Sequence, residues 1–309
     1  MRADGRVVDL AAAAAAWLHI DHHDPYWERE VELRLPADVG KFLAGGVPSR
    51  ALAEAALAFA SRSATPTGIG AEPLLVDMSN ARLLAPLTAP LILCSGAHFQ
   101  RPGHREFFMR NPHNVLGPSD RTQLPTWLGE NFEVQPRVAV IIGERLNRAT
   151  PAEAQAGIHG YCAAIEFRAC DLHKISWAGP MFHLQYPHAQ TFDGSLMLGP
   201  AIVSKHEVGD VSALVARLSV DHDEIFAGGV PGQWNELVDW ICQLSAAVTL
   251  QPGTLLIPGA SDDMIVRPSD ASQCPAELIS SATSSSRLRS GTAITLQIEG
   301  LGNIETRLD

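Results

Sequence analysis

Histidine and cysteine are the side chains best suited to chemistry near neutral pH, and this chain carries 12 of the first and 5 of the second. His19, His22 and His23 cluster as metal ligands do, but they lie beside Asp24 and Pro25, and a structural role is expected. Cys162 and Cys170 straddle Glu166, yet no histidine at helical or strand spacing marks either as an activated nucleophile. Each reads as a buried structural thiol. His183 and His188 flank Tyr186-Pro187, where a pocket mouth and a plain loop remain equally open readings. Gly228-Gly229-Val230-Pro231-Gly232 lacks the spacing of a phosphate-binding loop and reads as a turn.

The cysteines at 94, 162, 170, 242 and 274 form no CxxC pair, which fits free thiols in a reducing compartment. Asp and Glu number 34 against 23 Lys and Arg, for a formal charge of −11. Such a surface repels phosphate backbones, so no nucleic-acid partner is expected. The apolar run from Leu10 to Ile20 is too short to span a bilayer, and His22, His23 and Asp24 follow it where a cleavage site would lie. A cytoplasmic protein with no membrane partner is expected. At 309 residues and 46% hydrophobic, the chain can bury one large core or two smaller ones.

The elements that must position any site divide the chain. Residues 1–75 read as a small mixed α/β module. The alanine run Ala11–Ala16 predicts a helix, Val31–Leu35 alternates as a half-buried strand does, and Ser49–Ser61 places Leu52, Ala55, Ala56 and Phe59 on one helical face. Thr65-Pro66-Thr67-Gly68 is a stop. Residues 76–309 are β-rich, with strands expected at Val138–Ile142, Ala201–Ser204, Leu214–Val220, Leu255–Pro258 and Ala293–Ile298. Two helices interrupt them: Pro151–Ala156, capped by Thr150, and the amphipathic Asn235–Val248. The serine-rich 280–286 stretch reads as a surface loop.

Several motifs in this second segment occur in the order found in the fumarylacetoacetate hydrolase superfamily. Ala81-Arg82-Leu83-Leu84-Ala85-Pro86-Leu87, Phe108-Met109-Arg110 with Val115-Leu116-Gly117, and Val138-Ala139-Val140-Ile141-Ile142-Gly143 resemble its early landmarks. Gly160-Tyr161, Phe192-Asp193, Gly199-Pro200, Leu250-Gln251-Pro252-Gly253 and Ile298-Glu299-Gly300-Leu301-Gly302 are similar to its later ones. The resemblance implies an α+β, β-rich fold, a mixed β-sandwich or roll, with a small N-terminal module. It also implies an enzyme for enolisable 2-oxo or β-dicarbonyl carboxylates, acting by C–C cleavage, decarboxylation, cyclisation or isomerisation. A homodimer is the family default, and a specialised biosynthetic pathway is one setting for such an enzyme.

The same resemblance singles out site residues, and they depart from the family pattern. Its metal site uses an E-x-E pair before the Val138–Gly143 strand, and those positions hold Gln135 and Arg137. Its third carboxylate corresponds to Glu166, and a usual lysine to Gln190. A divalent ion prefers several oxygen ligands and is repelled by a guanidinium among them. We therefore expect no metal and no cofactor, with Arg137 in the ion's place paired to Glu166 in a site of zero net charge. Arg137 and Glu166 are catalytic candidates together with His104 and Glu106, which resemble a shifted acid–base pair from the family's lid. Arg110 is the candidate anchor for a substrate carboxylate, and Gln135, Gln190, Tyr161 and Asp193 complete the candidate binding residues. Two alternatives stand beside this reading: a metal-dependent C–C hydrolase with shifted ligands, Glu133 among them, and a catalytically silent homologue that binds a small acid or a partner chain.

Overall fold

The structure is a computed structural model, and it describes residues 6–62, 66–95, 107–169, 171–172, 187–232, 234–259 and 288–309. The chain divides into two compact units, residues 1–82 and 83–309. The division falls beyond residue 75 because β1 (Arg6–Val8) pairs antiparallel with β2 (Leu75–Asp77), which ties those residues to the first unit.

In the first unit the alanine run forms α1 (Leu10–Ala16), capped by the Asp9 carboxylate and continued by one π-helical turn over Trp17–Asp21. The segment 31–35 is not a strand. It falls mostly in α2 (Trp27–Arg34), followed by α3 (Val39–Ala44) and α4 (Gly46–Ala60). Its apparent alternation fails physically, because Leu33 is 69% exposed while Val31 and Leu35, four residues apart, both pack on the module core. Glu30 and Arg34 add an ion pair at the same helical spacing. The core itself is mostly alanine: Ala13, Ala14 and Ala16 of α1 meet Leu52, Ala53, Ala56 and Ala60 of α4. The α4 face is thus rotated slightly from the expected one, with Ala53 and Ala60 inside. The rings of His22 and His19 stand edge-on to Trp17 and Trp27, a packing role rather than a ligand set.

In the second unit a seven-stranded mixed sheet runs in the order β4-β3-β11-β6-β7-β8-β5. Its strands are β3 (Ile92–Ser95), β4 (Phe107–Arg110), β5 (Val115–Leu116), β6 (Phe132–Ile142), β7 (Ile158–Ala169), β8 (Leu196–Ser204) and β11 (Leu255–Ile257). A four-stranded antiparallel sheet, β10-β9-β12-β13, is built from β9 (Val215–Val220), β10 (Asp223–Gly229), β12 (Ala293–Ile298) and β13 (Gly302–Arg307). Gly228 and Gly229 end β10, so the glycine-rich stretch is part strand and part turn. α5 (Pro151–Gly157) starts on Thr150 with a reciprocal Glu153 cap, and α6 (Leu237–Ala247) buries Leu237, Trp240, Ile241 and Leu244.

One face of the large sheet and the small sheet share a single apolar core. Val134, Val138, Val140 and Ile142 of β6 meet it, as do Ala163, Ile165 and Phe167 of β7 and Leu218, Leu296 and Ile304 of the small sheet. Strand alternation sends the intervening residues of β6 and β7 to the opposite face. That second face is buried as well, which explains why Val138–Ile142 of β6 and Tyr161–Ile165 of β7 are apolar on both faces. Pro136 is tolerated inside β6 because β11 pairs only with Val140 and Ile141, leaving that stretch hydrogen-bonded on one side.

The Gly160-Tyr161 landmark has a packing cause. A Cβ on Gly160 would lie 2.1 Å from the Val203 carbonyl oxygen of β8, where the β7–β8 register shifts. A Gly160→Ala substitution should therefore cost about 1–3 kcal/mol, as overpacking of a rigid backbone contact does. Urea denaturation would show it, and an unchanged midpoint would contradict the close approach.

Candidate active site

The second face of the large sheet carries the chemistry. Within β6 the residues of this face are Glu133, Gln135 and Arg137, and opposite them in register stand Arg168, Glu166 and Ala164 of β7. β3 and β4 add Cys94 and Arg110, and a turn just before β8 adds Ser195. All of these charged and polar residues but Arg168 are buried, and Arg168 is nearly so. Charges this deep persist only when paired and hydrogen-bonded.

Glu166 is the hub. Its Oε2 accepts from Arg137 Nε at 2.7 Å, and its Oε1 accepts from Arg110 Nη2. Arg137 Nη2 donates to the Gln135 Oε1, and Arg168 donates Nε to Glu133 Oε2 at 2.8 Å together with Nη2. Arg110 is further held by Ser195, whose Oγ accepts from Nη1 at 3.1 Å, and by the Cys94 sulfur, 3.2 Å from Nε. Burial pushes the Cys94 thiol up to about 11, with Arg110 only partly offsetting it, so Cys94 is a neutral thiol that accepts from the guanidinium. Burial alone would raise the Glu166 carboxyl too, but the Arg137 and Arg110 guanidiniums outweigh it and hold it below its ordinary value.

This geometry revises several expectations. Glu166 is a fixed anion clamped between two cations, not a group that moves protons near pH 7. Arg110 does not offer an open fork to a ligand: its nitrogens are turned on Glu166, Ser195 and Cys94. The narrow cleft that Arg110 lines with Asn114, Thr191 and Leu196 among others has no room for a water molecule. Tyr161 points into the apolar core with Ala163 and Ile165, on the face away from the cluster, where burial raises its phenol. Asp193 is exposed in the turn between Phe192, which packs edge-on to Phe132, and Ser195. Gln190 is buried, its backbone N–H closing a turn on the Pro187 carbonyl. His104, Glu106, His183 and Cys170 lie outside the described residues. Cys162 shares the site face but is a buried thiol pushed up to about 12, as a structural cysteine is. Among the described residues Arg110 joins Arg137 on Glu166, so the expected one-to-one pairing of Arg137 with Glu166 is shared with a second cation.

Sequence reasoning missed Ser195 and Cys94 as supports of Arg110. Neither has a signal of its own: Cys94 meets Arg110 through the pairing of β3 with β4, and Ser195 meets it from the turn before β8, a strand not paired with β4.

The Fumarylacetoacetate (FAA) hydrolase C-terminal family model matches residues 94–309. The chain belongs to this family. It is 27% identical over 236 residues to the human mitochondrial oxaloacetate tautomerase FAHD2A, covering 73% of this chain and 69% of that one. Among solved structures it is similar to the 5-carboxymethyl-2-hydroxymuconate delta-isomerase of Mycobacterium smegmatis, with a TM-score of 0.58, 20% identity, and coverage of 76% of this chain and 82% of that one. It is also similar to the fumarylpyruvate hydrolase of Pseudomonas aeruginosa, solved in complex with Mn2+ and pyruvate, with a TM-score of 0.54, 16% identity, and coverage of 71% and 89%. The chain is an enzyme of this family with the family's mixed α/β fold. Among its described residues no helix is long and apolar enough to cross a membrane.

The divalent ion that the family pattern implies does not fit the residues present. Of the three expected carboxylates only Glu166 remains, and both of its oxygens accept from guanidiniums. The Gln135 amide oxygen is taken by Arg137 as well. Among the described residues no group of three His, Cys, Asp or Glu side chains could hold a metal. Glu133, the ligand that a shifted register would recruit, faces the same way but is engaged by Arg168.

Proposed function

We propose that this enzyme acts on an enolisable 2-oxo or β-dicarbonyl carboxylate without a divalent metal, the Arg137 guanidinium standing in the ion's place. One observation carries the reading: Arg137 lies between Gln135 and Glu166, donating to the two side chains that would otherwise ligate the ion. Removing a proton beside the 2-oxo group shifts negative charge onto that oxygen. A fixed cation in a water-excluded site stabilises such charge at no reorganisation cost. Arg110 and Gln135 hold the geometry, Arg110 by fixing Glu166 and Gln135 by fixing Arg137. Under this reading His104 with Glu106 exchanges the proton. C–C cleavage, decarboxylation, cyclisation and isomerisation all pass through such an anion. A relative named for oxaloacetate tautomerisation and a fold neighbour solved with pyruvate agree with a small oxo-acid substrate. A homodimer and a cytoplasmic setting belong to the same proposal, the unpaired Cys94, Cys162 and Cys242 supporting the latter. So does a place in a biosynthetic sequence.

Turnover of an acylpyruvate panel should be unchanged by EDTA, and metal analysis of the active protein should find less than stoichiometric Mg, Mn or Ca. Activity that EDTA abolishes would restore the shifted-ligand hydrolase. No turnover of any member would leave a silent acid-binding homologue.

A further inference from the structure

A second recess opens where β6 begins, on the opposite side of the large sheet from the arginine cluster. Phe132 marks the side: it lies with Val134 and Val138 in the apolar core, whereas its neighbour Glu133 turns to the cluster and pairs with Arg168. The recess has a volume of about 380 Å³, within the range of small-molecule sites. Phe132, Leu288 and Leu308, all buried, form its apolar floor with the half-buried Leu124. Glu130 and Arg289 stand exposed on its rim, one charge of each sign.

Backbone hydrogen bonds between distant segments hold the walls. The Gly291 N–H donates to the Leu308 carbonyl at 2.9 Å, and the Leu308 N–H to the Thr292 carbonyl at 3.0 Å. The Asp309 N–H donates in turn to the Thr122 carbonyl at 3.0 Å. Glu130 is pinned through its own N–H, which donates to the Asp171 carboxylate at 2.9 Å. A recess framed this way needs little ordering when a ligand enters. Asp309, also on the wall, is paired with Arg121 at 2.9 Å. Glu130 and Arg289 do not pair with each other, and among the described residues neither side chain is in an ion pair. A carboxylate and a guanidinium that share one apolar recess without closing on each other suit a ligand bearing the complementary pair.

We propose that this recess binds an α-amino acid with an apolar side chain. The ligand's carboxylate meets Arg289 through charge-assisted hydrogen bonds, its ammonium meets Glu130, and its side chain lies on Phe132 and the three leucines. A monoacid or an amine of the same shape makes only one of the two ionic contacts and lies beside a like charge. The site is separate from the Arg137 cluster and does not depend on the reaction proposed there.

Calorimetric titration with L-phenylalanine, 3-phenylpropanoate and 2-phenylethylamine tests this, because the last two each lack one of the two charged groups. Phenylalanine should bind at one site per chain, with a Kd lower than that of either analogue by about tenfold or more, since each analogue loses a hydrogen bond between charged groups. Arg289→Gln and Glu130→Gln should each weaken phenylalanine by a similar factor. Both side chains are exposed, so neither substitution empties the core. The analogues separate the two contacts: Arg289→Gln should weaken the acid but not the amine, and Glu130→Gln the amine but not the acid. No binding of phenylalanine, an analogue that binds as tightly, or a phenylalanine Kd that either variant leaves unchanged would overturn the proposal. The last outcome would send the ligand to another surface, such as the arginine cluster.

Discussion

An Arg137→Ala protein is expected to turn over its substrate about 10²–10³ times more slowly than the unmodified chain, the usual loss when one preorganised donor to a developing oxyanion is removed. The change should fall on kcat as well as kcat/KM, because the interaction strengthens as charge moves onto the oxygen. Folding is not the obstacle. Without Arg137, Glu166 still accepts from Arg110, so the buried carboxylate keeps a cation and the pair is neutral. Arg137→Lys should rescue little of the loss. An ammonium carries the charge but cannot reach Gln135 and Glu166 together and still present a third donor. Steady-state kinetics on the acylpyruvate turned over best, with circular dichroism to confirm folding, would check this. A rate within tenfold of the unmodified protein would mean that the guanidinium is not the reaction's cation.

Glu166→Gln should behave in the opposite way, with its main effect on stability. This substitution leaves Arg110 and Arg137 buried without their shared anion, and breaking a buried pair from one side costs about 3–5 kcal/mol. The pH dependence follows from the direction of the Glu166 shift. Its carboxyl titrates lower in the folded protein than its ordinary 4.5, so the stabilisation is complete above that value. It is lost as pH falls below 4.5 and through the folded-state pKa. Thermal unfolding of both proteins between pH 7 and pH 3 should show a wide gap in Tm at neutral pH that narrows in acid. A constant gap would mean that the two guanidiniums do not depend on the Glu166 charge.

Much of the fold is legible in local sequence. The helices at Leu10–Ala16, Gly46–Ala60 and Leu237–Ala247, and the strand through Val138–Ile142, have strong propensity or a clear face. Where local reading failed, packing had overruled it. The 31–35 segment carries a two-residue alternation, but only its four-residue spacing meets a core, so it is helical. β7 carries Ala and Gly, which are weak strand formers, and it extends because both of its edges are paired, with β6 and with β8. The partners of the site divide along the same line. Gln135 and Glu166 are directly opposed across two strands, and motif order was enough to select them.

The residues alone determined the family and the β-rich class, and they set Gln135 and Arg137 where the resemblance implies metal-binding carboxylates, because these are matters of identity and order along the chain. Only the tertiary structure decided that Arg110 is turned on Glu166, that Tyr161 belongs to the core, and that one nitrogen of Arg137 is left without an acceptor. Hydrogen-bond partners come from strands distant in sequence, such as β4 meeting β7 at Glu166, and a count of charges along the chain does not reveal which of them share a face.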